Sequence, residues 1–385
     1  MSKDPSGVMT TEVSSLQERL DLLVEQDRPS YSQWQLMWRD FRKHRLAVGG
    51  MVVVILFYVV ALLGEFLAPH DPFERTGVPN APPSRVRIHV PGEGLQRPFV
   101  YGYTGRRNPR TLAMEYRADE DKKYLIRFFA SRSEYRFMGL IPTSTRLFTV
   151  EEEGHIFLFG SDALGRDVFS RTIVGTRISS TVGLIGIFFS LFLGLILGGA
   201  SALFGGYVDV AIQRVIEVLL CIPGIPLWMG LSAALPREWS PLQIYFAITV
   251  ILALHGWIGV ARVVRGKFLS TREEQFVIAA EGFGAGPGYL IGRHLIPNFL
   301  SYIIVNITIG IPGMILGETA LSFLGLGLRP PIVSWGVLLQ RAQNLHAIAE
   351  APWLMFPGLF VVVLVLAFNF MGDGLRDAAD PYKRA

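Results

Sequence analysis

Residues 46–64 run without one charged side chain. That is about the 20 residues a helix needs to cross the hydrocarbon core of a bilayer. Further apolar stretches at 178–208, 209–235, 241–261, 298–324 and 351–372 predict six spans in all. Lipid offers no hydrogen bonds, so each span must satisfy its own backbone, and the fold class expected is an all-α polytopic bundle. Half of the residues are hydrophobic and only 18 % are charged, which fits the same class.

Charge placement orients the bundle. Arg39, Arg42, Lys43 and Arg45 directly precede the first span, so the segment 1–45 is expected in the cytoplasm by the positive-inside rule. Within it, Ser15 and Glu18 read as a capping box ahead of Leu16, Leu20, Leu23 and Val24, a short amphipathic helix that is either membrane-bound or solvated. The first apolar run comes late and lacks a small-residue cleavage pattern, so no signal peptide is expected. Six spans then put both termini in the cytoplasm. Cys221 is the single cysteine, so no intrachain disulfide can form. The net charge of +4 belongs to membrane edges, and no basic-aromatic module points to a nucleic-acid partner.

The first span covers 46–66, and the stretch 67–165 is a long polar insertion, placed outside the membrane and opened by the stop-and-turn signal from Ala68 to Pro72. Short alternating runs at 99–103, 124–129, 146–150 and 155–159 predict a small β-containing domain. Its role is either contact with a partner or that of a packed cap. The remainder, 166–385, is a five-helix core with a polar cytoplasmic loop at 262–298.

Within the core, Gly183, Gly186, Gly194, Gly198 and Gly199 suit close helix packing in lipid. Arg214 and Glu217, three apart, share a helix face and neutralise each other. Pro223, Gly224 and Pro226 break the third span, and broken helices at membrane depth occur where backbone lines a cavity or is buried in protein. Pro223, Pro226, Gly313 and the intramembrane carboxylate Glu318 are therefore candidates for a translocation pathway, with a structural kink and a structural carboxylate as the competing readings. His255 is expected as a hydrogen-bonded core histidine. A Trp335-to-Leu345 stretch of the last outer loop reads as amphipathic.

In the loop 262–298, Thr271 and Glu274 predict the start of a short helix through Phe276, Val277, Ala279 and Ala280. Such a helix is either a handle for a partner or a plain connection.

Specific strings in the chain resemble one family. Ala279-Ala280, Gly284, Ile291, Arg293-His294 and Pro297-Asn298 resemble the EAA loop of ABC-type importer permeases, in the variant of the dipeptide/oligopeptide/nickel permeases. The family's Glu falls at Ile278, an apolar residue here. GSDALGRDVFSRTIVGTR (residues 160–177) is similar to a second signature, read here as a tight turn entering a surface helix whose charges pair locally. A metal at Asp162 and Asp167 is disfavoured. ETALSFLGLGLRPPIVSWG and NFMGDGLRDAADP, from Glu318 and Asn369 onward, resemble two further family motifs; in the latter, Asp373, Arg376 and Asp377 are placed to brace the coupling loop. The insertion is longer than usual for the family.

The resemblance implies the type I ABC importer permease fold in a bacterial inner membrane. It implies a heterodimer with a second permease, two ATPase subunits and a periplasmic solute-binding protein. Phe276, Ala279, Ala280, Glu281, Gly284, Arg293 and Pro297 would form the contact with the ATPase. ATP and Mg would sit on that partner, and this chain would bind no cofactor and no metal and have no catalytic residues. Consistently, the sequence holds no Walker loop, no HExxH and no Gly-x-Ser-x-Gly. Short peptides are the expected cargo, with nickel, oligosaccharides or another small solute as alternatives. An ion-coupled secondary transporter would need ionisable groups converging at midplane, and a membrane-anchored enzyme would need a nucleophile–base motif in the insertion.

Overall fold

A computed structural model describes residues 32–90, 94–109, 114–151, 153–290, 293 and 300–379. The helix expected after Ser15 lies outside the described residues. Helix α1 (Gln33–Lys43) starts at Ser32, whose hydroxyl and Gln35 form a reciprocal capping box. The basic cluster before the first span is therefore largely helical. Its Phe41 is buried, while Trp34 and Trp38 are exposed. The first span, α2 (Arg45–Leu62), buries Ala47, Gly50, Val54 and Ala61 and exposes Leu46, Val52, Ile55, Leu56 and Val59. A helix apolar all round but buried on one side is suited to lipid on the other.

Two long helices form the centre. Helix α3 (Val168–Phe204) has 37 residues, about 55 Å at 1.5 Å per residue, well beyond a bilayer's hydrocarbon thickness. The polar signature is thus not a separate surface helix. Its 160–167 part is a turn, and from Val168 on it is the first turns of α3 itself. Thr172 and Thr176 return their hydroxyls to carbonyls four residues back, which accommodates their polarity. Helix α3 packs against α6 (Pro241–Arg272) at two glycines. A Cβ on Gly198 would lie 2.5 Å from the Ala261 carbonyl oxygen, and one on Gly194 2.5 Å from Val260 Cβ.

Between them, α4 (Gly206–Cys221) and α5 (Gly224–Ala233) meet at a 92° bend. Pro223 forces the break, since it lacks the N–H that would continue the helix. Five helices among the described residues are long and apolar enough to cross a membrane, six if the bent pair is one span. The last two are α8 (Leu300–Phe323) and the span that contains α11 (Phe356–Ala379). Asp377 of α11 sits 3.4 Å from His44, and Gly374 packs on Phe41 and Ala47. This corrects the expectation for the closing motif: the tail of α11 meets the start of the first span.

The loop between α8 and α11 folds into α9 (Trp335–Gln340) and α10 (Leu345–Glu350). It is a wedge rather than an amphipathic surface piece. Trp335 is fully buried, donates its indole N–H to the Thr172 carbonyl at 3.0 Å and its backbone N–H to Ser179 Oγ at 3.0 Å.

The insertion contains an antiparallel sheet of β1 (Arg87–Val90), β2 (Gly94–Arg107) and β3 (Met114–Leu125), and a hairpin of β4 (Arg127–Phe137) and β5 (Ile141–Thr149). The hairpins run well beyond the predicted strands. Their outer parts are charged and exposed, so no hydrophobic alternation marks them. The strand expected at 155–159 is a turn segment that joins Ser84 through Phe157 N–H. A small core of Val100, Ile126, Val150 and Ile156 holds the unit together. Arg146 of β5, 1 % exposed, fastens it to the segment after α2 by donating to the carbonyls of Ala68 (2.7 Å), Glu65 (3.2 Å) and His70 (3.4 Å). From α3, Arg177 donates to Ala61 and Leu62 carbonyls at 2.8 and 3.1 Å and pairs with Glu65. These guanidinium groups satisfy the carbonyls that a helix C-terminus leaves open.

Candidate coupling surface and pathway

Helix α6 continues through Arg272, so residues 262–272 are helix rather than loop. Thr271 belongs to its last turn, where its carbonyl accepts from Glu274 N–H at 3.1 Å; the next helix, α7 (Gln275–Gly282), begins one residue later. Val277 and Leu290 are buried among Ala202, Val264, Phe268 and Ile303, which pins α7 to α3, α6 and α8. The opposite side presents Phe276, Ile278, Ala279 and Phe283, the last 93 % exposed. Ala280 is half-buried against the pinning cluster, so the two alanines face opposite ways. Glu281 is in the last turn of α7. Gly284 follows at φ +82°, a left-handed conformation that favours glycine, and is exposed. Arg293 is exposed, and Pro297 lies outside the described residues. The result is a short apolar knob on a fixed base.

Behind the knob is a pair that the charge pattern does not single out. Arg265 donates Nε and Nη2 to the two oxygens of Asp209 at 2.7 and 2.6 Å, and Ser201 also donates to that carboxylate. The corner between α3 and α4 is thereby tied to the extension of α6. The sequence signal is an acid three residues after Gly205-Gly206.

Pro223 and Pro226 are exposed at the 92° bend. Trp228 links this bend to two other spans. Its ring stands edge-on to His255 with centroids 5.9 Å apart, and a Cβ on Gly317 of α8 would come 3.3 Å from it. Gly313, one turn from Gly317 on the same face, is exposed with open space beside it. Thus three of the four pathway candidates lie at accessible positions, and Trp228, not singled out from the sequence, reaches from the bend to Gly317 and His255. His255 departs from the expected hydrogen-bonded core residue: it is half-buried, and its Nδ1 has no hydrogen-bond partner among the described residues, nor has Trp228 Nε1.

Glu318 is corrected as a pathway candidate. It is fully buried and turned to the loop after α8, accepting from Ser322 and Ser334 hydroxyls at 2.8 Å each. Ser322 Oγ in turn accepts from Leu328 N–H, and Ser334 Oγ caps α9 at Val337 N–H. The carboxylate fixes a loop and faces no opening. Arg214 and Glu217 pair at 2.6 Å on an exposed face. In the polar turn, Asp162 binds Arg166 Nε and Nη2 at 2.8 and 2.6 Å, while Asp167 caps α3 at Phe169 and Ser170. Both carboxylates are occupied by these donors.

The description "Binding-protein-dependent transport system inner membrane component" matches residues 190–385, and "N-terminal TM domain of oligopeptide transport permease C" matches 32–83. The chain is 32 % identical over 360 residues to the dipeptide transport system permease protein DppC of Bacillus subtilis (strain 168), covering 93 % of this chain and 88 % of that protein. It is 41 % identical to the oligopeptide transport system permease protein OppC of Haemophilus influenzae, over 66 % of this chain and 76 % of that one. To OppC of Bacillus subtilis it is 37 % identical, over 59 % and 72 % of the two chains. Among solved structures it is similar to the inward-facing MetNI methionine ABC transporter, with a TM-score of 0.41 at 18 % identity over 54 % of this chain and 95 % of that one. With its bundle of membrane-length helices and matches along nearly its whole length, the chain belongs to the binding-protein-dependent transport system inner membrane components, as a permease subunit of an ABC importer.

Proposed function

We propose that this permease moves short peptides and is driven through the α7 knob by an ATPase subunit. The observation that carries the reading is the two-sided build of α7: Val277 buried on the three central helices, and Phe276, Ile278, Ala279 and Phe283 turned out. A push on the outer side is passed to α3, α6 and α8 because the inner side is packed into them. Coupling of this kind needs two discrete arrangements of rigid elements, as in rigid-body switching. Glu281, Gly284, Arg293 and Pro297 complete the contact in this reading. The exposed Ile278, in place of the family's Glu, makes the contact more apolar.

The full assembly has a second permease, two ATPase subunits that hold ATP and Mg, and a periplasmic solute-binding protein. This chain performs no catalysis and binds no cofactor. Its layout is 1–45 and both termini in the cytoplasm, span one at 46–66, an external unit at 67–165, and the core at 166–385. The arginines and lysines before span one and on the α6 extension support that orientation. Solute passes by Pro223, Pro226 and Gly313, beside Trp228 and His255. Peptide as cargo is supported by the dipeptide and oligopeptide transport named for the relatives.

Ala279→Asp tests the coupling. The expected result is loss of the co-purifying ATPase and of ATP hydrolysis, with the permease still monodisperse and at its normal melting temperature. Unchanged co-purification would sink the reading. Peptide uptake by cells, with and without this chain, tests the cargo; uptake that does not depend on it would leave nickel or oligosaccharide as the substrate to try.

A further inference from the structure

Three side chains at the outer end of the first span direct ligand atoms at one point, and the transport reading uses none of them. His70 lies in the turn after α2, Glu74 four residues on, and His155 in the segment between β5 and α3. One ligand atom from each lies within 4.8 Å of the others, and His70 Nδ1 is 3.7 Å from Glu74 Oε2. His70 is fully buried. Its Nδ1, Glu74 Oε2 and His155 Nδ1 are all buried atoms without a hydrogen-bond partner among the described residues. Buried polar atoms are nearly always satisfied, so three such atoms facing one another call for an occupant.

The surroundings suit a cation. His70 Nε2 lies 3.1 Å from the Ile156 carbonyl oxygen and 3.2 Å from Ile156 N. Ile156 N–H donates to Nε2 in one tautomer; in the other, Nε2–H donates to that carbonyl and Nδ1 keeps its lone pair for a ligand, the usual way a metal-bound imidazole is oriented. Arg132 approaches the other oxygen of Glu74 at 3.8 Å and is itself held near the Gly154 carbonyl at 3.3 Å. It steadies the carboxylate while leaving Oε2 to the site. Two imidazoles and one carboxylate, with a fourth position for water, are a zinc-type donor set rather than an all-oxygen calcium or magnesium set. Tetrahedral zinc with bonds of about 2.0–2.1 Å places its ligand atoms roughly 3.4 Å apart. The His70–Glu74 pair is close to that spacing, and half-buried His155 closes the remainder by a side-chain rotation.

We propose that His70, Glu74 and His155 form a divalent zinc site that staples the turn after the first span to the segment entering α3. The test uses the complete transporter, purified without a polyhistidine tag, stripped with chelator and titrated with zinc chloride alone. The expected result is one equivalent bound per copy of this chain, a rise in the melting temperature of the external unit, and the visible absorption of tetrahedral cobalt when cobalt replaces zinc. His155→Gln and Glu74→Gln should each weaken zinc binding at least about tenfold. Both residues are only half-buried, so these variants keep the fold where a change at fully buried His70 risks losing it. Equal zinc binding by wild type and both variants overturns the proposal, as does the lack of a stoichiometric equivalent in folded wild type.

Discussion

Glu318 shows how a single residue misleads when read alone. An ionisable group inside a span points by default to a substrate or ion path. Here its oxygen takes two serine hydroxyls that in turn hold Leu328 and Val337 backbone N–H groups. Glu318→Ala leaves both hydroxyls buried without their acceptor and should destabilise the chain by about 1–3 kcal/mol, while Glu318→Gln costs less than half of that. Thermal unfolding in detergent checks the order, and transport by the Gln variant should stay close to normal. Tyr103 is a second case. Burial pushes its hydroxyl up to about 12, and it donates to the Pro82 carbonyl at 2.7 Å. The unfolded chain loses this proton near the ordinary tyrosine value and the folded chain holds it, so stability falls as pH rises from about 10 to 12. Tyr103→Phe should blunt that alkaline loss, read as the pH midpoint of unfolding, at a cost near neutral pH of about 1 kcal/mol. A structural carboxylate at Glu318 was one reading of the sequence, but the groups that Glu318 and Tyr103 meet were not legible there, because both depend on partners brought in by the fold.

At the scale of elements, much more could be read. The apolar runs marked the spans, and Pro223 with Gly224 marked the bend between α4 and α5. The glycines of α3 were legible as contact points but their partner was not, since the spacing names one face and not the helix that meets it. Gly198 faces the Ala261 backbone, which cannot rotate away. Gly198→Val should therefore cost about 2–3 kcal/mol and lower the yield of monodisperse protein, whereas Gly259, with open space around it, should accept alanine with little loss. Helix α7 makes the opposite contrast on its two sides. Phe283→Asp is a surface change expected within about 0.5 kcal/mol of wild-type stability. Val277→Asp buries a charge and should unfold the region. A pull-down of the ATPase together with a melting curve separates the two effects. The charged halves of the β-hairpins were invisible to pattern reading, because solvated ribbons need no apolar alternation.

For the whole molecule, the sequence conveyed that the chain has a membrane core and a separate polar unit. It did not convey how the two are joined. That joint rests on Arg146 and Arg177, whose long side chains reach carbonyls on another element. Arg146→Gln should loosen the β-containing unit by about 2 kcal/mol, seen as faster limited proteolysis within 87–149 with the membrane helices intact. The same joint gives the molecule a mechanical gain. Strand β3 has 12 residues and is about 40 Å long at 3.3 Å per residue. Its base packs through Tyr124 on the core of Val100, Ile126, Val150 and Ile156, next to the hairpin that Arg146 fastens, so the ribbon acts as the needle of a dial. A tilt of roughly 10° in that span, hidden within the bilayer, would sweep a label at Met114 through about 7 Å at the ribbon's far end, a displacement large enough for distance spectroscopy to follow.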